Sequence, residues 1–243
     1  MFFNKTIDLH FYTPVSGVET YASIAKAQKP KWLKNIPVCP VLQEGNLPSP
    51  SIKACPAVQD YYKAAIEIPL WSDLCLRFGP VGSDLYEWVF PDSTYMAEYQ
   101  KITAHENNGV DNYRKNTDFQ HLLITVPWLA KCNQKINFLM TEPMWQAFEY
   151  PTLNISQGIT NFYYQHVCNV QLFATRTQTM QEIMLPHGMP LAHLIPLTDK
   201  KIKIHTHVIS KEEYNKIHGL ALRTKFTTSY YRKVGIMDEL KRK

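Results

Sequence analysis

Apolar and polar residues alternate along the opening segment IDLHFYTPV, the period of a strand with one buried face, and Pro14 ends it. The following stretch, YASIAKAQKPKWLKNIP, carries a short helical pattern cut at Pro30 and then a turn anchored by Trp32. Residues 37–50 hold Pro37, Pro40, Pro48 and Pro50, which forbid a regular helix and predict an extended arm across the surface. In CPAVQDYYKAAIEIPLW, Val58, Tyr61, Tyr62, Ala65 and Ile66 recur at helical spacing and Pro56 suits a first turn. This predicts a helix over 56–67 that stops before Pro69. LCLRFGP and YEWVFP read as a hairpin, TAHENNGVDNYRKN as an exposed loop, and TDFQHLLITVPWLAKC as a strand or short helix brought to the surface.

From residue 134 the pattern changes to short apolar runs parted by turn residues: INFLM, QAFEYPTLNI, ITNFYY, CNVQLFAT, QEIMLPHG, PLAHLIPL and IKIHTHVI. Such even spacing predicts a sandwich or small barrel. Ser210, with Glu213 three residues later, is a capping-box pattern and predicts a terminal helix. The expected fold is therefore α+β and mainly β. Its C-terminal half is a β-sandwich or a small barrel, with a few peripheral helices. Three stretches are expected: an N-terminal α+β region at 1–130 packed on the rest, a β module at 131–209, and a helical basic tail at 210–243.

Composition adds limits rather than a function. The chain has 243 residues, 45% hydrophobic and 12% aromatic, enough to bury a core without staples. Its formal charge of +5 is modest. A polyanion site would need that charge gathered on one face, and the clearest cluster runs from Arg223 and Lys225 through Arg232 and Lys233 to Lys241, Arg242 and Lys243. Tyr230 and Tyr231 beside it could stack bases, or could pack the tail onto its own domain. A solvated helix end is the simpler reading of the charges. The cysteine count is 5, with no C-x-x-C spacing, and predicts reduced thiols in a cytosolic compartment. No apolar run approaches the ~20 residues of a membrane span, and the first residues lack a secretory pattern.

Few stretches carry candidate chemistry. His205 and His207 sit two apart on an expected strand and face one side, a geometry open to metal binding with a third ligand from His187, His193 or Asp199. Asp8 and His10 have the mirrored spacing of a facial pair. Surface polar positions on strands explain both pairs as well. Cys55 before Pro56 lies near a helix N-terminus, where it reads as a small buried hydrophobe or as a thiol of lowered pKa. There is no phosphate-binding glycine loop, no dinucleotide fingerprint and no nucleophile elbow, so no cofactor is expected.

Residues 158–173, GITNFYYQHVCNVQLF, resemble the hairpin of the deoxyuridine triphosphatases and deoxycytidine triphosphate deaminases. In that family Gly-Val-Ile-Asp is followed, after two intervening residues, by Tyr and then by a strand ending in aliphatic-Phe. Gly158, Ile159, Tyr164, Val170, Leu172 and Phe173 are in step, and GMPLAHLIPL resembles a later strand of the same family. The resemblance covers residues 136–197 and implies a β-clip-like barrel for the C-terminal half. It implies that Tyr164 stacks on a base and that position 161 holds the sugar. The family's water-activating Asp is replaced here by Asn161, whose amide cannot act as a carboxylate base. EPMWQAFEYPT also lacks the Ser and Arg of the family's phosphate-cradling turn.

IDLHFYTP, KPKWLKNIP, IKACPAVQDYYKAAIEIPLWSD and PHGMPLAHLIPL, in that order, resemble an uncharacterised family carried by tailed phages of marine and cyanobacterial hosts and by some bacteria. This implies a phage origin. The expected role is a non-catalytic virion or assembly component that binds other phage proteins or itself, a trimer being one form by resemblance. The alternative is a nucleotide-binding or nucleotide-hydrolysing relative of the triphosphatases. A nucleic-acid partner is open but not favoured.

Overall fold

Ile7, Leu9, Phe11 and Thr13 of β1 (Thr6–Thr13) are buried, while the residues between them are half exposed, as the alternation of IDLHFYT requires. A computed structural model describes residues 6–21, 23–39, 50–90, 101–104, 118–144 and 149–226. In it β1 runs parallel to β14 (Lys201–Val208), pairing His10 with His205 and Tyr12 with His207. On its other side β1 is antiparallel to β7 (Phe119–Cys132). The first and last strands of the described chain are therefore neighbours. Their sheet has the order β14-β1-β7-β11-β9, with β9 at Leu153–Ile155 and β11 at Val167–Thr175, and β6 (Lys101–Ala104) also joins β7.

Segment 117–132, expected as a surface strand or short helix, instead supplies this long, largely buried central strand, Phe119–Cys132, despite Pro127. A proline lacks the N–H that a ladder needs. The register explains the tolerance. β6 pairs with β7 only from Leu122 to Thr125 and β1 only from Leu129 to Cys132, while the β11 register shifts between Val167 and Asn169. Pro127 thus sits in the gap between two partners and opposite a bulge.

The second sheet has the order β10-β8-β13-β3-β2, made of Gly158–Thr160, Phe138–Thr141, Pro190–Pro196, Ile66–Pro69 and Ala25–Lys26. The third is β12-β4-β5, made of Gln181–Leu185, Leu74–Phe78 and the hairpin partner Tyr86–Val89. All three sheets are open, and one hydrophobic cluster draws on each of them. Across it Phe162 meets Phe11 at 6.4 Å and Phe138 at 5.2 Å between ring centroids. Burying a phenylalanine this fully contributes about 2–3 kcal/mol before entropy. The fold is α+β and mainly β.

The helices are peripheral. α1 (Val18–Tyr21) is one turn. The pattern expected to be cut at Pro30 instead starts there: Pro30 precedes α2 (Lys31–Asn35), which buries Leu33 and leaves Trp32 40% exposed. Proline's fixed φ suits that place, and its missing N–H would be unpaired at a helix start anyway. α3 (Pro56–Ala64) ends three residues short of the expected 67, because Ile66–Pro69 pairs with β13 and β2. In the arm at 37–50, residues 40–49 lie outside the described residues, but its ends meet, Ser51 N–H donating to Val38 O at 2.7 Å. α4 (Lys211–Phe226) starts as the capping box predicts, with Glu213 N–H donating to Ser210 Oγ at 3.1 Å. No helix among the described residues is long and apolar enough to cross a membrane.

Candidate functional site

The hairpin with the triphosphatase-like spacing is built around Asn161, the residue after β10. Its Nδ2 donates to Asn137 Oδ1 at 2.9 Å, and its Oδ1 accepts the Tyr163 N–H at 3.1 Å. Its carbonyl oxygen accepts from the N–H groups of Tyr164 and Gln165. This is an Asx-turn, the local reason for an asparagine here. Phe162, fully buried, anchors the turn to the core. Tyr164 packs edge-on against Tyr163 at 4.9 Å, and the Lys135 ammonium lies 5.5 Å from its ring centroid.

A cavity beside the hairpin, about 360 Å³, is lined by neither Asn161 nor Tyr164 but by Ser156, Gln157, Thr160, Gln165, Asn169 and Gln171 among others. No acid, base or cation lines it. Such a pocket can form hydrogen bonds to a neutral group but cannot move a proton at neutral pH.

The strand pairing brings the His205 and His207 pair together with Asp8, His10 and Tyr12. His205 Nε2 lies 2.7 Å from Asp8 Oδ1, and His10 Nδ1 lies 3.0 Å from His207 Nε2. The rings stack, His10 on His205 at 4.6 Å and Tyr12 on His207 at 4.9 Å. Burial, then the neighbouring His205 and His207, holds the His10 imidazole below its ordinary value. The His205 hydrogen bond holds the Asp8 carboxyl below its own. No group of three His, Cys, Asp or Glu among the described residues is placed to hold a metal ion. Of the suggested third ligands, His187 accompanies Asp73, whose Oδ1 accepts the His187 N–H at 2.7 Å, and His193 belongs to another sheet.

The basic positions Arg232, Lys233, Lys241 and Arg242, with Tyr230 and Tyr231, lie outside the described residues. Cys55 precedes α3 in extended conformation, half-buried, without capping it through its side chain.

A second cavity, about 610 Å³, opens between α2, α3 and the β3–β13 pair. His193, 2% exposed on β13, lines it, with Nδ1 2.7 Å from the Tyr61 hydroxyl and Nε2 3.8 Å from Glu67 Oε2. Burial pushes the Tyr61 phenol well above its ordinary pKa, and that of Tyr62 up to about 12. The sequence named His193 only as a third metal ligand. The signal available was a single histidine inside the apolar run PLAHLIPL, which asks for a buried partner. No family model, no curated protein and no solved structure matches the chain.

Proposed function

We propose that the chain is a non-catalytic, phage-encoded protein that serves as a protein-binding scaffold, a virion or assembly component. The observation that carries this reading is the commitment of both Asn161 amide atoms to the turn. Where the resembled hydrolases hold a water-activating carboxylate, this residue holds its own hairpin, and the adjacent cavity offers no substitute base. Protein binding is supported by the outward face of the β12-β4-β5 sheet. There Met184, Cys75 and Val89 are paired in one row, with Met184 52% and Val89 57% exposed. Beside that row Arg77 bridges Glu87 and Glu182, which makes a polar rim to an apolar strip. The phage assignment rests on the resemblance of the four ordered segments.

The test has two arms. Purified protein with magnesium and deoxyuridine or deoxycytidine triphosphate is expected to release no product, and mass spectrometry of purified virions is expected to find the chain at fixed stoichiometry. Turnover of either nucleotide would remove the reading. A second reading, nucleotide binding without hydrolysis, is favoured by the neutral amide and hydroxyl lining beside the hairpin. A thermal shift of several degrees with one pyrimidine nucleotide and none with the others would select it.

A further inference from the structure

We propose that the cleft between α2, α3 and the β3–β13 pair binds a small organic anion with a planar apolar body whose far end accepts a hydrogen bond. The floor of the cleft is the starting point. The Tyr61 hydroxyl lies 2.7 Å from His193 Nδ1, and at neutral pH the buried phenol keeps its proton. The Tyr61 hydroxyl also lies 3.4 Å from Glu142 O, a longer contact, and the Glu67 carboxylate beside Nε2 favours a hydrogen on that nitrogen, which leaves Nδ1 to accept from the phenol. Nε2 is buried and has no hydrogen-bond partner. Glu67 Oε2, at 3.8 Å, is too far to accept and already takes the Gln28 N–H at 3.2 Å. A buried donor left without an acceptor is costly, and the residue that carries it lines a cavity of about 610 Å³.

The walls and the rim define the rest of the ligand. Trp32, Tyr62, Met144 and Met189 give the cleft flat or deformable apolar sides. Lys31 and Lys34, three residues apart on α2, stand on the same helix face at the rim, both exposed. Lys29 also lines the rim, its ammonium held by Gln59 Oε1. Two carboxylates, Glu67 at the floor and Glu149 at the lip, face these three lysines. The floor carboxylate keeps a charged group away from His193, so the anion belongs at the lysine rim and an uncharged acceptor at the floor. A charge at one end, a flat body and a neutral acceptor at the other end are the three features the cleft reads.

The probe that carries all three is 4-nitrophenyl phosphate. Phenyl phosphate removes the distal acceptor, and 4-nitroanisole removes the charge. Calorimetric titration of the full chain is expected to find 4-nitrophenyl phosphate bound, with each of the other two about tenfold weaker, the loss of one good interaction. The Nε2 resonance of His193 is expected to move on binding the nitro compound and to stay in place with phenyl phosphate. Lys31→Glu with Lys34→Glu should weaken 4-nitrophenyl phosphate at least about tenfold with an unchanged melting temperature, because both side chains are exposed. Three results each overturn the proposal: no binding at millimolar concentration, equal affinity of the double variant, or equal affinity for 4-nitroanisole.

Discussion

Arg176 Nη1, on a side chain only 5% exposed just past the end of β11, donates to the carbonyl oxygen of Leu85 at 2.8 Å. The same atom donates to Gly79 O at 3.0 Å, and Nη2 donates to Gln120 Oε1 at 3.2 Å. One guanidinium therefore ties the base of the β4–β5 hairpin to the large sheet. Burial lowers the pKa of the guanidinium, and Asp84 acts in the opposite direction. A charge held this way is a structural clamp, because its donors are directed at two backbone carbonyls and a side-chain amide oxygen from separate elements.

Arg176→Met keeps much of the volume and removes those bonds, leaving the Gly79 and Leu85 carbonyls less well satisfied. It is expected to cost about 2–4 kcal/mol in urea unfolding. A loss below about 0.5 kcal/mol, the ordinary range for a surface substitution, would refute the clamp.

The histidine ladder predicts acid sensitivity. His10 is held below its ordinary value of 6.5, so the unfolded chain binds protons that the folded chain refuses. Its contribution is complete above about pH 6.5, the unfolded value, and is lost as the pH falls through the lower folded value. Asp8, depressed by its His205 hydrogen bond, loses its contribution in the same direction at lower pH. His166, depressed chiefly by burial, adds to the loss. The groups facing His10 are Asp8, Tyr12, Lys131, His205 and His207. Stability measured by denaturant titration is expected to fall between pH 7 and pH 5, and His10→Asn should flatten that fall. An unchanged slope in His10→Asn would show that the ladder does not set it.

Asn161→Asp tests the hairpin directly. Aspartate retains the acceptor for the Tyr163 N–H but loses the donor to Asn137. The expected cost is about 1 kcal/mol, with no gain of nucleotide hydrolysis. Appearance of turnover in this variant would mean that the frame around position 161 is complete except for its base.

α4 is held at two points, the Ser210 cap and Tyr214, which is 5% exposed and packs with Leu129 and Val167. Ser210→Ala is expected to remove about 1 kcal/mol of local stability. Tyr214→Ala should remove about 3 kcal/mol and release the helix while the sheets persist. Amide exchange resolves the two: the cap variant should speed exchange in the first turn only, the packing variant along the whole described helix.

Much of the architecture was legible because alternation survives in any environment where one face of a strand is buried. IDLHFYT, LCLRF and IKIHTHVI each show it, and each became a strand. Proline was harder to read. Pro30 looked like a stop and became a start, and the strand Phe119–Cys132 tolerates Pro127 because it falls in a gap between two partners. At α3 helical spacing ran on past Ala64 because Ala65 and Ile66 are also buried, one at the helix end and one in the following strand.

The sequence by itself determined the kinds of element, the mainly β class, the cap of α4 and the amide at position 161, since each depends on neighbours within a few residues. Tertiary structure decided what meets across long separations: Asp8 with His205, Tyr61 with His193, and α2 with β13 around one cleft. Strand partners are chosen by the burial of whole faces into a common core, a collective property that no local pattern encodes.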